Sequence, residues 1–115
     1  MAGLTDREIL ESCARACGLY EQWAAPDYEV QTIAKGLWCS GMGEGYLWNP
    51  LEDDGDCAHM ENKCGVTVDC EAGISGFPRL PLPVETFTPG NDTERRRASC
   101  IVAARAQIER EKGGA

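Results

Sequence analysis

Histidine occurs once in this 115-residue chain, at His59, so any Cys–His or Ser–His catalytic pair has to use that single imidazole. No Gly-x-Ser-x-Gly turn accompanies it, which removes the commonest hydrolase signature. Long apolar runs are also missing. Nothing approaches the roughly 18 consecutive apolar residues a membrane span requires, so no membrane partner is expected. The start, Met1-Ala2-Gly3-Leu4-Thr5-Asp6, has neither the basic nor the apolar region of a secretory signal, and the expected location is the cytoplasm. Basic residues are the minority: 11 Lys and Arg against 19 Asp and Glu leave a formal charge of −8. A surface that grips DNA or RNA draws its affinity from clustered cations and counterion release, so direct nucleic-acid binding is not expected.

What is present describes an ordinary globular protein, 43% hydrophobic and 26% charged. The length suits one domain, taken as residues 1–112, with 113–115 as a disordered tail. Seven cysteines, an odd number in a chain without a secretory signal, point to reduced thiols instead of a disulfide framework.

The stretch from Leu4 to Gly18 reads as a helix. Thr5 and Glu8 form a capping box, Leu4 and Ile9 occupy the staple positions, and Gly18 suits a left-handed stop. Ile9, Leu10, Cys13, Ala16 and Cys17 share its apolar face. Tyr20 and Trp23 belong to a connection expected to fold back on that helix. Tyr28 to Ile33 is rich in strand formers, and a second short strand is expected at Leu37-Trp38-Cys39. Three glycines between Ser40 and Gly45 predict a loop, and its Gly-Met-Gly-Glu-Gly lacks the lysine and spacing of a phosphate cradle. Val66 to Cys70 alternates as a strand, and Glu71 to Pro78 reads as loop or hairpin. Arg79 to Phe87 alternates too, but two prolines confine it to an edge strand or extended arm. A turn at Pro89 to Asp92 leads into a last helix, about Thr93 to Lys112, with Ala98, Ile101, Val102, Ala104 and Ile108 as its apolar stripe. The element order predicts a small single α+β domain, with a short, mainly antiparallel sheet of three to four strands flanked by about three helices.

At the centre lies Trp48-Asn49-Pro50-Leu51-Glu52-Asp53-Asp54-Gly55-Asp56-Cys57, a turn followed by a dense acidic cluster, a short helix and a glycine stop at Gly65. The pattern Trp-Asn-Pro-Leu-x-Asp-Asp-Gly-Asp resembles that of the phage ABA sandwich group, small phage and prophage proteins mostly without an assigned activity. The resemblance covers about the second half of the chain plus the first helix. It implies a three-layer α/β/α sandwich and a life in the host cytoplasm.

Glu52, Asp53, Asp54 and Asp56 suggest a hard-cation site, but an EF-hand register on Gly55 would put Pro50 at the first ligand position. Capping is the competing reading, since each acidic residue near a helix start contributes on the order of 0.3–1 kcal/mol. Cys57, His59, Cys64 and Cys70 lack the short knuckle spacing of structural zinc sites. Cys57 and Cys64 would lie ~10.5 Å apart along a helix axis, too far for one ion with Zn–S bonds of about 2.3 Å. The expectation is a buried Cys57, Met60 and Cys64 stripe with His59 outside, and no metal or cofactor.

Arg95, Arg96 and Arg97 stand where a helix start disfavours cations, so they are read either as an anion site or as a face paired with Glu94 or with carboxylates of the central motif. The leading expectation is a non-enzymatic phage or prophage accessory protein that binds and inhibits a host protein with a basic surface, anti-phage defence proteins included among the targets. One alternative is an oligomer sequestering an anionic nucleotide through Arg95 to Arg97 and an aromatic such as Trp38 or Trp48. The other is a metal-dependent enzyme using Asp53, Asp54 and Asp56. The residues expected to meet a ligand or partner are thus Arg95, Arg96, Arg97, Trp38, Trp48, Asp53 and Asp54.

Overall fold

The computed structural model describes residues 4–18, 28–33, 36–41, 44–76 and 84–113. Helix α1 spans Asp6–Ala16. Strands β1 (Tyr28–Ile33), β2 (Gly36–Gly41) and β3 (Glu44–Trp48) follow, then helix α2 (Asp54–Cys64). Strands β4 (Thr67–Asp69), β5 (Ile74–Gly76) and β6 (Val84–Thr86) lead to helix α3 (Asp92–Gly113). The protein is α+β, with three helices and wholly antiparallel pairing among the described residues. Its strands are divided between two three-stranded sheets, ordered β1-β2-β3 and β4-β5-β6, where the sequence suggests one sheet of three to four strands.

Local chemistry accounts for the helix limits. The Thr5 hydroxyl accepts the Glu8 N–H at 3.1 Å and the Glu8 carboxylate accepts the Thr5 N–H at 3.0 Å, which completes the expected capping box. Gly18 (φ 69°) ends α1 and Gly65 (φ 76°) ends α2, both in the left-handed region where a side chain would be strained.

The glycine-rich loop expected at Ser40 to Gly45 is corrected by the structure. Ser40 and Gly41 finish β2, Glu44 and Gly45 begin β3, and the pair Gly41↔Glu44 closes a hairpin. Cross-strand pairing overrides the weak local preference of glycine. The expected Tyr20 and Trp23 connection, the end of the Glu71 to Pro78 stretch (77–78), the start of the proline-bearing arm (79–83) and residues 114–115 lie outside the described residues.

The core is organised around α3. Ala98, Ser99, Cys100, Val102, Ala103 and Ala104 are all buried, a wider band than a single apolar stripe. Helices α1 and α2 and the sheet β4-β5-β6 all pack against it. Contacts between Asp6 and Arg97, Cys13 and Cys100, and Arg15 and Glu111 advance together, so α1 and α3 run in the same sense. In sheet β1-β2-β3, Leu37 and its cross-strand partner Trp48 turn into the core. Trp38 and Leu47, the next pair, therefore face the other way.

Candidate functional site

The central motif is built by its own hydrogen bonds. After Trp48 ends β3, the Asn49 N–H donates to Asp56 Oδ2 at 2.9 Å, and Asn49 Oδ1 accepts the Leu51 N–H at 3.0 Å. The Asn49 carbonyl accepts the Asp53 N–H at 2.9 Å, closing the Asn49-Pro50 turn. Asp53 caps α2: its Oδ1 accepts the Gly55 N–H at 2.9 Å. The four carboxylates thus diverge. Asp56 is buried beneath the turn, Asp53 holds the helix end, Asp54 meets α3, and Glu52 is exposed. Among the described residues no group of three or more His, Cys, Asp and Glu could hold a metal ion.

Asp54 joins the motif to the arginines. Its Oδ1 accepts from Arg96 Nη1 at 2.7 Å and from Arg95 Nη2 at 2.9 Å, so two guanidinium groups share one oxygen. The Arg96 hydrogen bond, aided by the charges of both arginines, holds the Asp54 carboxyl below the usual carboxylate range, and Asp54 in turn raises Arg96. Arg96 Nε also donates to the Leu51 carbonyl at 3.1 Å, while Arg95 lies 3.7 Å from Glu61 and 3.8 Å from Asp92. Arg97 turns to α1, where it donates to Asp6 Oδ1 at 2.7 Å. The structure therefore brings Asp54, Arg95 and Arg96 together, with Asp53 one residue away. It does not bring Arg97 to the same carboxylate.

The start of α3 is likewise engaged. Asn91 Oδ1 accepts the Glu94 N–H at 3.0 Å, and the Glu94 carboxylate accepts the Thr88 N–H at 3.0 Å, which lowers the Glu94 pKa. The arrangement satisfies donors that a free anion would otherwise meet.

The two tryptophans separate. Trp48 is 2% exposed and belongs to the core, so its expected role as a contact residue is corrected. Trp38 is 38% exposed, as is its cross-strand partner Leu47, and together they form an apolar pair on the outer face of the sheet.

Two buried features escape the sequence. Ser99 Oγ donates to Glu61 Oε2 at 2.6 Å and lies 3.0 Å from Ser75 Oγ, with both serines fully buried. This chain ties β5, α3 and α2 with polar bonds whose partners are already matched. The only signal was a serine set among the small residues of the last helix. Secondly, Cys13, Cys57 and Cys100 meet in the core, all fully buried. A hydrogen bond to Cys100 and burial push the Cys57 thiol up, which keeps it protonated and unreactive. His59 is exposed on α2, while Cys57 faces the interior.

No family model matches the chain, and no curated protein or solved structure matches it significantly. Among the described residues, no helix is long and apolar enough to cross a membrane.

Proposed function

We propose that the protein acts by binding, as a phage or prophage accessory protein that occupies a basic surface of a host protein in the cytoplasm and inhibits it. The observation that carries this reading is the Trp38–Leu47 pair, two large apolar side chains each 38% exposed and adjacent across β2 and β3. An exposed tryptophan beside a leucine on a sheet supplies the kind of anchor around which binding energy concentrates. The charge of −8 adds attraction toward a basic partner and speeds encounter. Arg95, Arg96 and Arg97 are paired with carboxylates of the same chain, which ranks nucleotide sequestering second.

The test is affinity capture from host extract with the wild-type chain and with Trp38→Ala and Leu47→Ala. The expected result is one basic protein retained by the wild type, weakened by salt, and lost with either substitution while the melting temperature stays put. A dimer that dissociates on the same substitutions would instead make this face a self-interface. A nucleotide-sized adduct in native mass spectra, lost when Arg95 to Arg97 are reversed in charge, would overturn the reading in favour of sequestering.

A further inference from the structure

Cys17 and Cys64 differ from the other buried thiols. Their sulfurs lie 3.9 Å apart, although 47 residues separate them in the chain. Cys17 caps the end of α1 and Cys64 is the last residue of α2, and a left-handed glycine follows each, Gly18 and Gly65. Cys13, Cys57 and Cys100 are sealed at 0% exposure, whereas Cys64 is only half-buried and reachable from solvent. A disulfide needs a sulfur separation of about 2.05 Å, so closure requires an approach of roughly 2 Å by two residues at helix ends, where the backbone gives most readily.

We propose that Cys17 and Cys64 form an oxidisable dithiol that closes to an intramolecular disulfide, tying the end of α1 to the end of α2. The oxidant class is a small-molecule disulfide such as oxidised glutathione. The Cys64 thiolate attacks one sulfur of that disulfide, forming a mixed disulfide and expelling one glutathione thiolate. Cys17 then loses its proton to solvent and attacks the Cys64 sulfur, expelling the second glutathione thiolate. Two protein thiols are oxidised and one glutathione disulfide is reduced to two thiols, which balances the exchange. The local chemistry suits these roles. The Cys17 S–H and the Arg110 charge lower Cys64, making it the attacking thiolate, while the same contact raises Cys17.

The test treats the folded 115-residue chain with oxidised glutathione, blocks remaining thiols with iodoacetamide, and reads the intact mass and fragment spectra. Expected is the loss of two hydrogens, a link between Cys17 and Cys64, and a higher urea midpoint that dithiothreitol reverses. Exposed Cys70 serves as the internal comparison and should carry a glutathione mixed disulfide. Cys70→Ser should leave the link intact; Cys64→Ser and Cys17→Ser should each abolish it. A link involving another cysteine, or a Cys64–glutathione adduct that persists with Cys17 still alkylatable, would overturn the proposal. So would a link that appears only after urea has unfolded the chain.

Discussion

Replacing Asp56 by alanine tests whether the acidic motif is a built turn or a ligand site. Asp56 Oδ2 accepts the Asn49 N–H at 2.9 Å, and both residues are 8% exposed. Removing the carboxylate strands a buried donor, and a hydrogen bond to a charged group contributes about 1.5–3 kcal/mol. Asp56 also stands in the first turn of α2, where a negative charge adds about 0.3–1 kcal/mol. The expected loss is therefore about 2–4 kcal/mol in total. For a domain of this size that lowers the melting temperature by ~4 °C per kcal/mol. The assay is urea unfolding followed by tryptophan fluorescence, in EDTA, with the slope compared between variants. Asp56→Asn, which keeps an acceptor but loses the charge, should forfeit about half as much. Glu52→Ala, at an exposed position, should change stability by less than about 0.5 kcal/mol. If Asp56→Ala and Glu52→Ala are indistinguishable in EDTA, or if Asp56→Ala costs stability only when calcium or magnesium is present, the turn argument fails.

Met60 is fully buried at the centre of the α2 face, so Met60→Ala should cost about 2–5 kcal/mol in the same unfolding assay; a loss below about 1 kcal/mol would mean that α2 does not pack as described. At Gly36 (φ 135°) a Cβ would sit 2.7 Å from the Trp48 carbonyl oxygen, and at Gly73 (φ 69°) it would overlap the Phe87 carbonyl oxygen. Alanine at either position should lower the melting temperature far more than Gly55→Ala, whose Cβ meets Asp53 at 3.4 Å; equal effects would count against both close approaches. Asp54 has a folded pKa below its ordinary 3.8, so its contribution is full above that value and is lost as pH falls through the lower folded value. The stability gap between wild type and Asp54→Asn should accordingly be flat from pH 7 to about 5 and close below about 3.8; a gap that persists to pH 2 would remove the ion-pair account.

Short-range chemistry was legible from the residues alone. The capping box of Thr5 and Glu8, the left-handed stops at Gly18 and Gly65, the strand at Tyr28–Ile33 and the inward Cys57 and Met60 of α2 all rest on neighbours within a few positions. Such features carry their physical cause in the local pattern: a donor in reach of a cap, a backbone angle only glycine tolerates, an apolar period. The α+β class followed from their order. The strand β3 was hidden because glycines at 43 and 45 mask a segment whose conformation is set by pairing with β2.

What tertiary structure alone decided is which distant groups meet. Asp54 reaches Arg95 and Arg96 across 41 and 42 residues, Ser99 reaches Glu61 across 38, and Cys17 approaches Cys64 across 47. Small side chains concealed the centrality of α3: alanine, serine and cysteine give a weak hydrophobic signal, yet they let three elements pack around one helix. Trp38 and Trp48 look alike in sequence, and strand register alone sends one outward and the other into the core, because alternate side chains of a strand leave opposite faces.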